Sequence, residues 1–165
     1  MYILNIFIIG VTVGLASCDI DCFNKESNAC GNEGSTDASS LLGNYCSTFP
    51  PYVSCLKRVA DKCKIFQKEM KIWLDIATDA CTDGTKLNKD LEANMKCISE
   101  AAEDAHCDFK EEDFKDVPAD KLFCRIFAEM RHCLYRKIRS TCGRVAEESF
   151  YAIYEPMNRY MLRIC

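Results

Sequence analysis

The chain has 165 residues, enough for one ordinary hydrophobic core, and no stretch that reads as a linker, so a single domain is the expectation. Its formal charge of -4 comes from interspersed Asp, Glu, Lys and Arg, which excludes the basic footprint of a nucleic-acid binder and the polybasic patch of a membrane-surface protein. Thirteen cysteines at this length point to folding under oxidising conditions, outside the cell.

Met1 to Ser17 carries no charged side chain, runs apolar from Ile3 to Leu15, and leaves through the small residues Gly14, Ala16 and Ser17. That is the pattern of a secretory signal peptide, which we assign to residues 1–18, ahead of one cysteine-rich domain over 19–165. A membrane anchor needs about 20 apolar residues with basic flanks, so no stable anchor is expected. The segment Leu15-Ala16-Ser17-Cys18 also has the look of a bacterial lipoprotein box, but no Lys or Arg precedes it. Cleavage after Cys18 leaves twelve cysteines that can all pair, and cleavage after Ala16 or Ser17 leaves an odd thiol. The chain holds no Asn-x-Ser or Asn-x-Thr sequon, so little N-glycan is expected.

From Asp19 to Gly43 the chain is rich in Asn, Ser, Gly and Asp, with Cys22 and Cys30 spaced through it, and reads as an irregular lead-in. Beyond Pro50-Pro51, Tyr52, Cys55, Leu56, Val59, Cys63, Phe66, Met70, Trp73 and Ala77 recur at three and four residues, the mark of one amphipathic helix. Asp83-Gly84 signals a turn and Thr85 an N-cap, after which Leu87, Leu91, Met95, Ile98, Ala102 and Ala105 carry a second helix to Cys107. The acidic stretch Lys110 to Asp116 reads as a loop. Pro118 suits the first turn of a third helix, bearing Phe123, Phe127, Met130, Leu134 and Ile138 and ending at Cys142-Gly143. Ala146, Phe150, Ile153, Met157, Met161 and Ile164 define a fourth, with Pro156 inside it as a kink. The predicted fold is therefore all-α: a disulfide-rich helical bundle of about four helices with an irregular N-terminal lead-in.

The bridging cysteines are taken as Cys22, Cys30, Cys46, Cys55, Cys63, Cys81, Cys97, Cys107, Cys124, Cys133, Cys142 and Cys165. Cys55 and Cys63 are eight residues apart and Cys124, Cys133 and Cys142 nine, which is about 12 to 13.5 Å along a helix at 1.5 Å per residue. A disulfide needs Cα atoms within about 7 Å. Neighbours on one helix must each reach a different element. Folding the third helix back on the fourth about Gly143 brings Cys124 towards Cys165. Cys46, Cys55-Leu56 and Cys63, with Arg58 between, are echoed by Cys124, Cys133-Leu134 and Cys142 with Arg136 at the matching place, which extends the same pairing to Cys46 with Cys81. The echo reads either as a duplication or as the ordinary likeness of two amphipathic helices with spaced cysteines.

Phe123-Cys124-Arg125-Ile126-Phe127, Cys133, Cys142-Gly143, Ala146, Phe150 and Cys165 resemble the closing signature of a secreted, cysteine-rich family of nematodes and arthropods known as domain of unknown function nineteen. Cys46, Cys55-Leu56 and Cys63 are similar to its first half. The cysteine-rich arthropod hemolymph glycoproteins, which are longer, look alike in outline. Either resemblance implies an extracellular helical disulfide protein, and neither implies a reaction.

Catalytic signals are thin, and no enzyme activity, metal or cofactor is expected. A secreted helical phospholipase A2 would show adjacent cysteines, a histidine at helical spacing and a glycine-rich calcium loop, and none is present. The two histidines, His106 and His132, each stand just before a cysteine and read as surface residues. Glu111-Glu112-Asp113 lacks the alternating oxygens and central glycine of an EF-hand loop. Arg58 and Arg136 read as solvated helix flanks. Two non-catalytic readings remain. One is an interaction protein of venom, saliva, hemolymph or matrix whose partner is an unknown extracellular protein. The other is a carrier in which Phe66, Trp73, Phe123, Phe127, Phe150, Tyr151 and Tyr154 line a cavity for a small hydrophobic ligand such as a lipid. Insect odorant-binding proteins carry two cysteines separated by three residues between helices. Here the nearest such spacing, Cys18 and Cys22, precedes the first helix.

Overall fold

The computed structural model describes residues 18–32, 40–105, 107 and 117–164. Among them the chain forms six α-helices and a short 3₁₀ turn: α1 Cys18–Ser27, the turn Asn28–Asn32, α2 Leu41–Cys63, α3 Gln67–Ala80, α4 Lys86–Glu103, α5 Ala119–Cys142 and α6 Arg144–Ile164. The all-α, disulfide-bonded character is as predicted, but the number of helices is not. The acidic stretch 110–116, expected as a loop, and His106 lie outside the described residues, as does the segment expected as a signal peptide except for Cys18.

Two departures account for the extra helices. The first is that the lead-in is not irregular, since it contains α1 and the 3₁₀ turn. A helix of ten residues is marginal alone, and this one is held by tertiary contacts. Phe23 is 1% exposed, with its ring 5.2 Å from Phe66 and 5.9 Å from Tyr160. Cys22–Cys63 and Cys30–Cys55 fasten the segment to α2. α2 itself starts at Leu41, well before Pro50-Pro51. Ser40 caps it, its Oγ accepting the Gly43 N–H at 2.9 Å. Each proline removes a backbone donor from the helix interior. Burial of Val53, Cys55, Leu56, Val59 and Ala60 against the neighbouring helices holds it together.

The second departure is that the stripe Tyr52–Ala77 is two helices. Lys64 and Phe66 adopt left-handed backbone conformations, with φ of 57° and 59°, and α3 packs back on α2. Each such non-glycine residue costs about 1–2 kcal/mol. Burying the Phe66 ring edge-on against Phe23 and Tyr160, at 5.2 Å from each, offsets that cost. The apolar period runs unbroken across the break, with no Gly or Pro to mark it.

Elsewhere the local signals act as read. Thr85 Oγ1 accepts the Asn88 N–H at 3.1 Å and donates to Asp79 O at 2.7 Å, closing the turn that opens α4. Gly143, at φ 88°, ends α5 and lets α6 begin at the next residue. α6 continues as helix through Pro156.

The disulfides turn the cysteine echo into a structural repeat. Cys22–Cys63, Cys30–Cys55 and Cys46–Cys81 join the first half, and Cys97–Cys142 and Cys107–Cys133 the second, with Cα separations of 5.5 to 6.0 Å. Cys55, Cys63, Cys133 and Cys142 each reach a different segment. Numbered in chain order within each half, the first six cysteines pair first with fifth, second with fourth and third with sixth, and the second half repeats the first two of these pairings. The packing repeats too: α1 lies on α2 as α4 lies on α5, and α2 on α3 as α5 on α6. Cys124, third in its half, is also disulfide-bonded, and its expected partner Cys165 lies outside the described residues. Peptide mapping without reduction should recover a Cys124–Cys165 peptide pair. Recovery of Cys124 joined to Cys18 would break the repeat.

Candidate functional site

The interior is built from aromatic side chains that fill one another's space. Trp73, 3% exposed, stands 5.6 Å from Phe49 and 6.2 Å from Tyr160. Phe127 and Phe150 stack on Tyr154 at 5.8 and 5.1 Å, and Tyr135 meets Phe150 and Tyr151 at 5.7 and 5.4 Å. Six of the residues named for a carrier cavity thus pack in ring-to-ring contacts, and the side chain of Phe123 lies outside those described. Burial holds several of the phenols protonated: it pushes Tyr154 up to about 12 and moves Tyr45, Tyr52 and Tyr160 in the same direction. Tyr135 is raised by burial first and by the nearby Glu155 carboxylate second.

Glu155 is a polar junction between α5 and α6. Its side chain is 14% exposed and gathers Arg131 Nη1 at 3.8 Å, Asn158 Nδ2 at 3.2 Å and Arg159 Nε at 3.3 Å. Asn158 is buried at 1% exposure. A carboxylate that accepts hydrogen bonds from Asn158 and Arg159 and pairs electrostatically with Arg131 fixes the side chains that reach it, and here it anchors Arg159 at the edge of a groove.

That groove lies where α3 and α6, the third helices of the two halves, pack together. Its volume is about 280 Å³. α3 contributes Lys68, Glu69 and Ile72, and α6 contributes Pro156, Arg159, Leu162 and Arg163. Helical spacing explains the set: Arg159, Leu162 and Arg163 stand at i, i+3 and i+4 and share one face, as do Lys68 and Ile72 at i and i+4. Leu162 is a large apolar side chain that is nevertheless 54% exposed. Arg163 Nε reaches Glu69 Oε1 at 3.2 Å across the seam. Lys68 is exposed and has no ion-pair partner among the described residues. Three cations therefore surround an apolar strip with one carboxylate among them, on a protein whose net charge is -4.

A second hollow, of about 360 Å³, sits at the α5–α6 turn between Arg139, Arg144, Glu147, Glu148 and Tyr151. Its charges cancel locally, Arg139 with Glu147 and Arg144 with Glu148, each at 2.6 Å. The other positions weighed from sequence do not converge. Arg58 on α2 and Arg136 on α5 are exposed, Arg136 Nε donating to His132 O at 3.4 Å, and His132 is exposed beside Arg131. Among the described residues no group of three or more His, Cys, Asp and Glu side chains is placed to hold a metal ion, and no helix is long and apolar enough to cross a membrane.

Sequence reasoning missed the groove because it traced the buried stripe of α6 and passed over residues beside it. A signal was there: Leu162 stands off that stripe between arginines at helical spacing. Only the packing of α3 on α6 adds Lys68 and Ile72. Comparison of the chain with protein-family models, with curated proteins and with solved structures finds no match.

Proposed function

We propose that the chain is a secreted, non-catalytic interaction protein whose rigid disulfide-bonded surface binds another extracellular macromolecule. The observation that carries this reading is the contrast between interior and surface. The aromatic side chains that a carrier would need around a ligand are packed on one another. Among the described residues the most exposed large apolar side chain, Leu162, lies in an open groove between two helices. Five bridges among the described residues, tying six helices together, fit an oxidising extracellular setting and a surface held in one shape. The resemblance of the cysteine plan to the domain of unknown function nineteen family supports the same extracellular class.

Native mass spectrometry of the protein purified from its source fluid tests the reading. A complex with a second polypeptide is the expected result. A stoichiometric lipid or other small hydrophobic mass, with no protein partner, would replace it with the carrier reading.

A further inference from the structure

We propose that the α3–α6 groove is a docking site for an acidic protein segment that inserts one apolar side chain between flanking carboxylates. The inference rests on the interaction reading above and specifies its surface and partner chemistry. Three observations lead to it. The strip formed by Ile72, Pro156 and Leu162 offers an apolar seat, and Leu162 remains 54% exposed in the free protein. The cations Lys68, Arg159 and Arg163 surround that seat, Arg163 paired with Glu69 and Arg159 with Glu155, which leaves the charge of Lys68 unbalanced among the described residues. This is a local excess of positive charge on an otherwise acidic molecule, and it selects an anionic partner. The volume of about 280 Å³ falls just below the range of about 300–1,000 Å³ for sites that enclose a whole small molecule. An open groove of that size accepts a side-chain anchor with its backbone left outside.

The charged residues differ in their freedom to serve a partner. Arg163 spans the seam to Glu69, so its charge is partly spent in holding the two halves together. Arg159 is held by Glu155 through Nε at 3.3 Å, which orients the side chain while leaving it 59% exposed. Lys68 is the cation without an ion pair among the described residues. A partner carboxylate beside Lys68 and another beside Arg159 would bracket the apolar anchor from the two helices. Contacts of this exposed kind set specificity and association rate, while the buried anchor supplies the affinity.

The test is selection from a random twelve-residue peptide library displayed on phage, with the intact disulfide-bonded protein as bait. Enriched peptides should carry a Leu, Ile, Met or aromatic residue with Asp or Glu within a few positions. Their binding should weaken at least about tenfold against a Lys68→Glu/Leu162→Asp variant and on raising salt. Both substitutions are on exposed side chains, so the variant should keep the parent's helical circular dichroism and melting temperature. A Lys68→Arg variant, which keeps the charge, should bind as the parent does. Enriched peptides without acidic bias, or acidic peptides bound equally by the Lys68→Glu/Leu162→Asp variant, overturn the proposal. So does palmitate, added as a competitor, if it occupies the groove and is retained through purification. A native complex whose protein partner is undisturbed by Lys68→Glu/Leu162→Asp would remove this groove from the account while leaving the interaction reading intact.

Discussion

Truncating Trp73 to alanine is expected to lower the unfolding free energy by about 3–5 kcal/mol, the range for removing a large buried aromatic side chain. Trp73 is on α3 and 3% exposed, and its ring lies 5.6 Å from Phe49 on α2 and 6.2 Å from Tyr160 on α6. It therefore belongs to the core of the first half and to the seam between the halves. The indole carries a liability as well, because Nε1 is buried without a hydrogen-bond partner. A Trp73→Phe variant keeps most of the ring contacts and removes that unpaired donor, so its loss should be a small fraction of the alanine loss. Guanidinium denaturation at constant m-value measures both. An alanine variant within about 1 kcal/mol of the parent would mean that the ring is not a packing centre.

Replacing Cys97 and Cys142 together by alanine is expected to cost about 4 kcal/mol, the chain-entropy value for a loop of 45 residues. This bridge ties α4 to the last residue of α5, just before Gly143 turns the chain into α6. Without it, the unfolded ensemble gains more freedom than on loss of any other of the five bridges with both ends among the described residues, because the enclosed loop is the longest among them. A domain with a total stability of about 5–15 kcal/mol is left marginal by such a loss. Denaturation of the double variant, with the mass confirming that the remaining bridges are closed, gives the number. A change below about 1 kcal/mol would show that packing among α4, α5 and α6 holds this corner by itself.

The parts of the fold that were legible in sequence are those written in local chemistry. α4 could be placed because Thr85 follows a turn and opens a clean apolar period, and Thr85 does cap the helix. α5 could be ended because Gly143 supplies a positive φ. The ban on bridges within a helix followed from rise per residue alone, and Cys46 does pair with Cys81, as the repeat implied. Legibility failed where a distant contact overrides the local preference. α1 has too few apolar residues to announce itself and exists because Phe23 is covered from α6 and from the residue before α3. The break at Lys64–Phe66 is local strain sustained by the same aromatic cluster.

What the sequence by itself determined about this protein is its all-α, disulfide-bonded class: helical periodicity and cysteine density require only nearest-neighbour geometry and composition to be read. What only the tertiary structure decided is where the two halves meet. Lys68 lies 91 residues before Arg159 and Ile72 lies 90 before Leu162, and nothing in either segment refers to the other. They line one groove because burying Trp73, Tyr160 and Met157 brings α3 against α6, and hydrophobic burial rewards that contact whatever the distance along the chain.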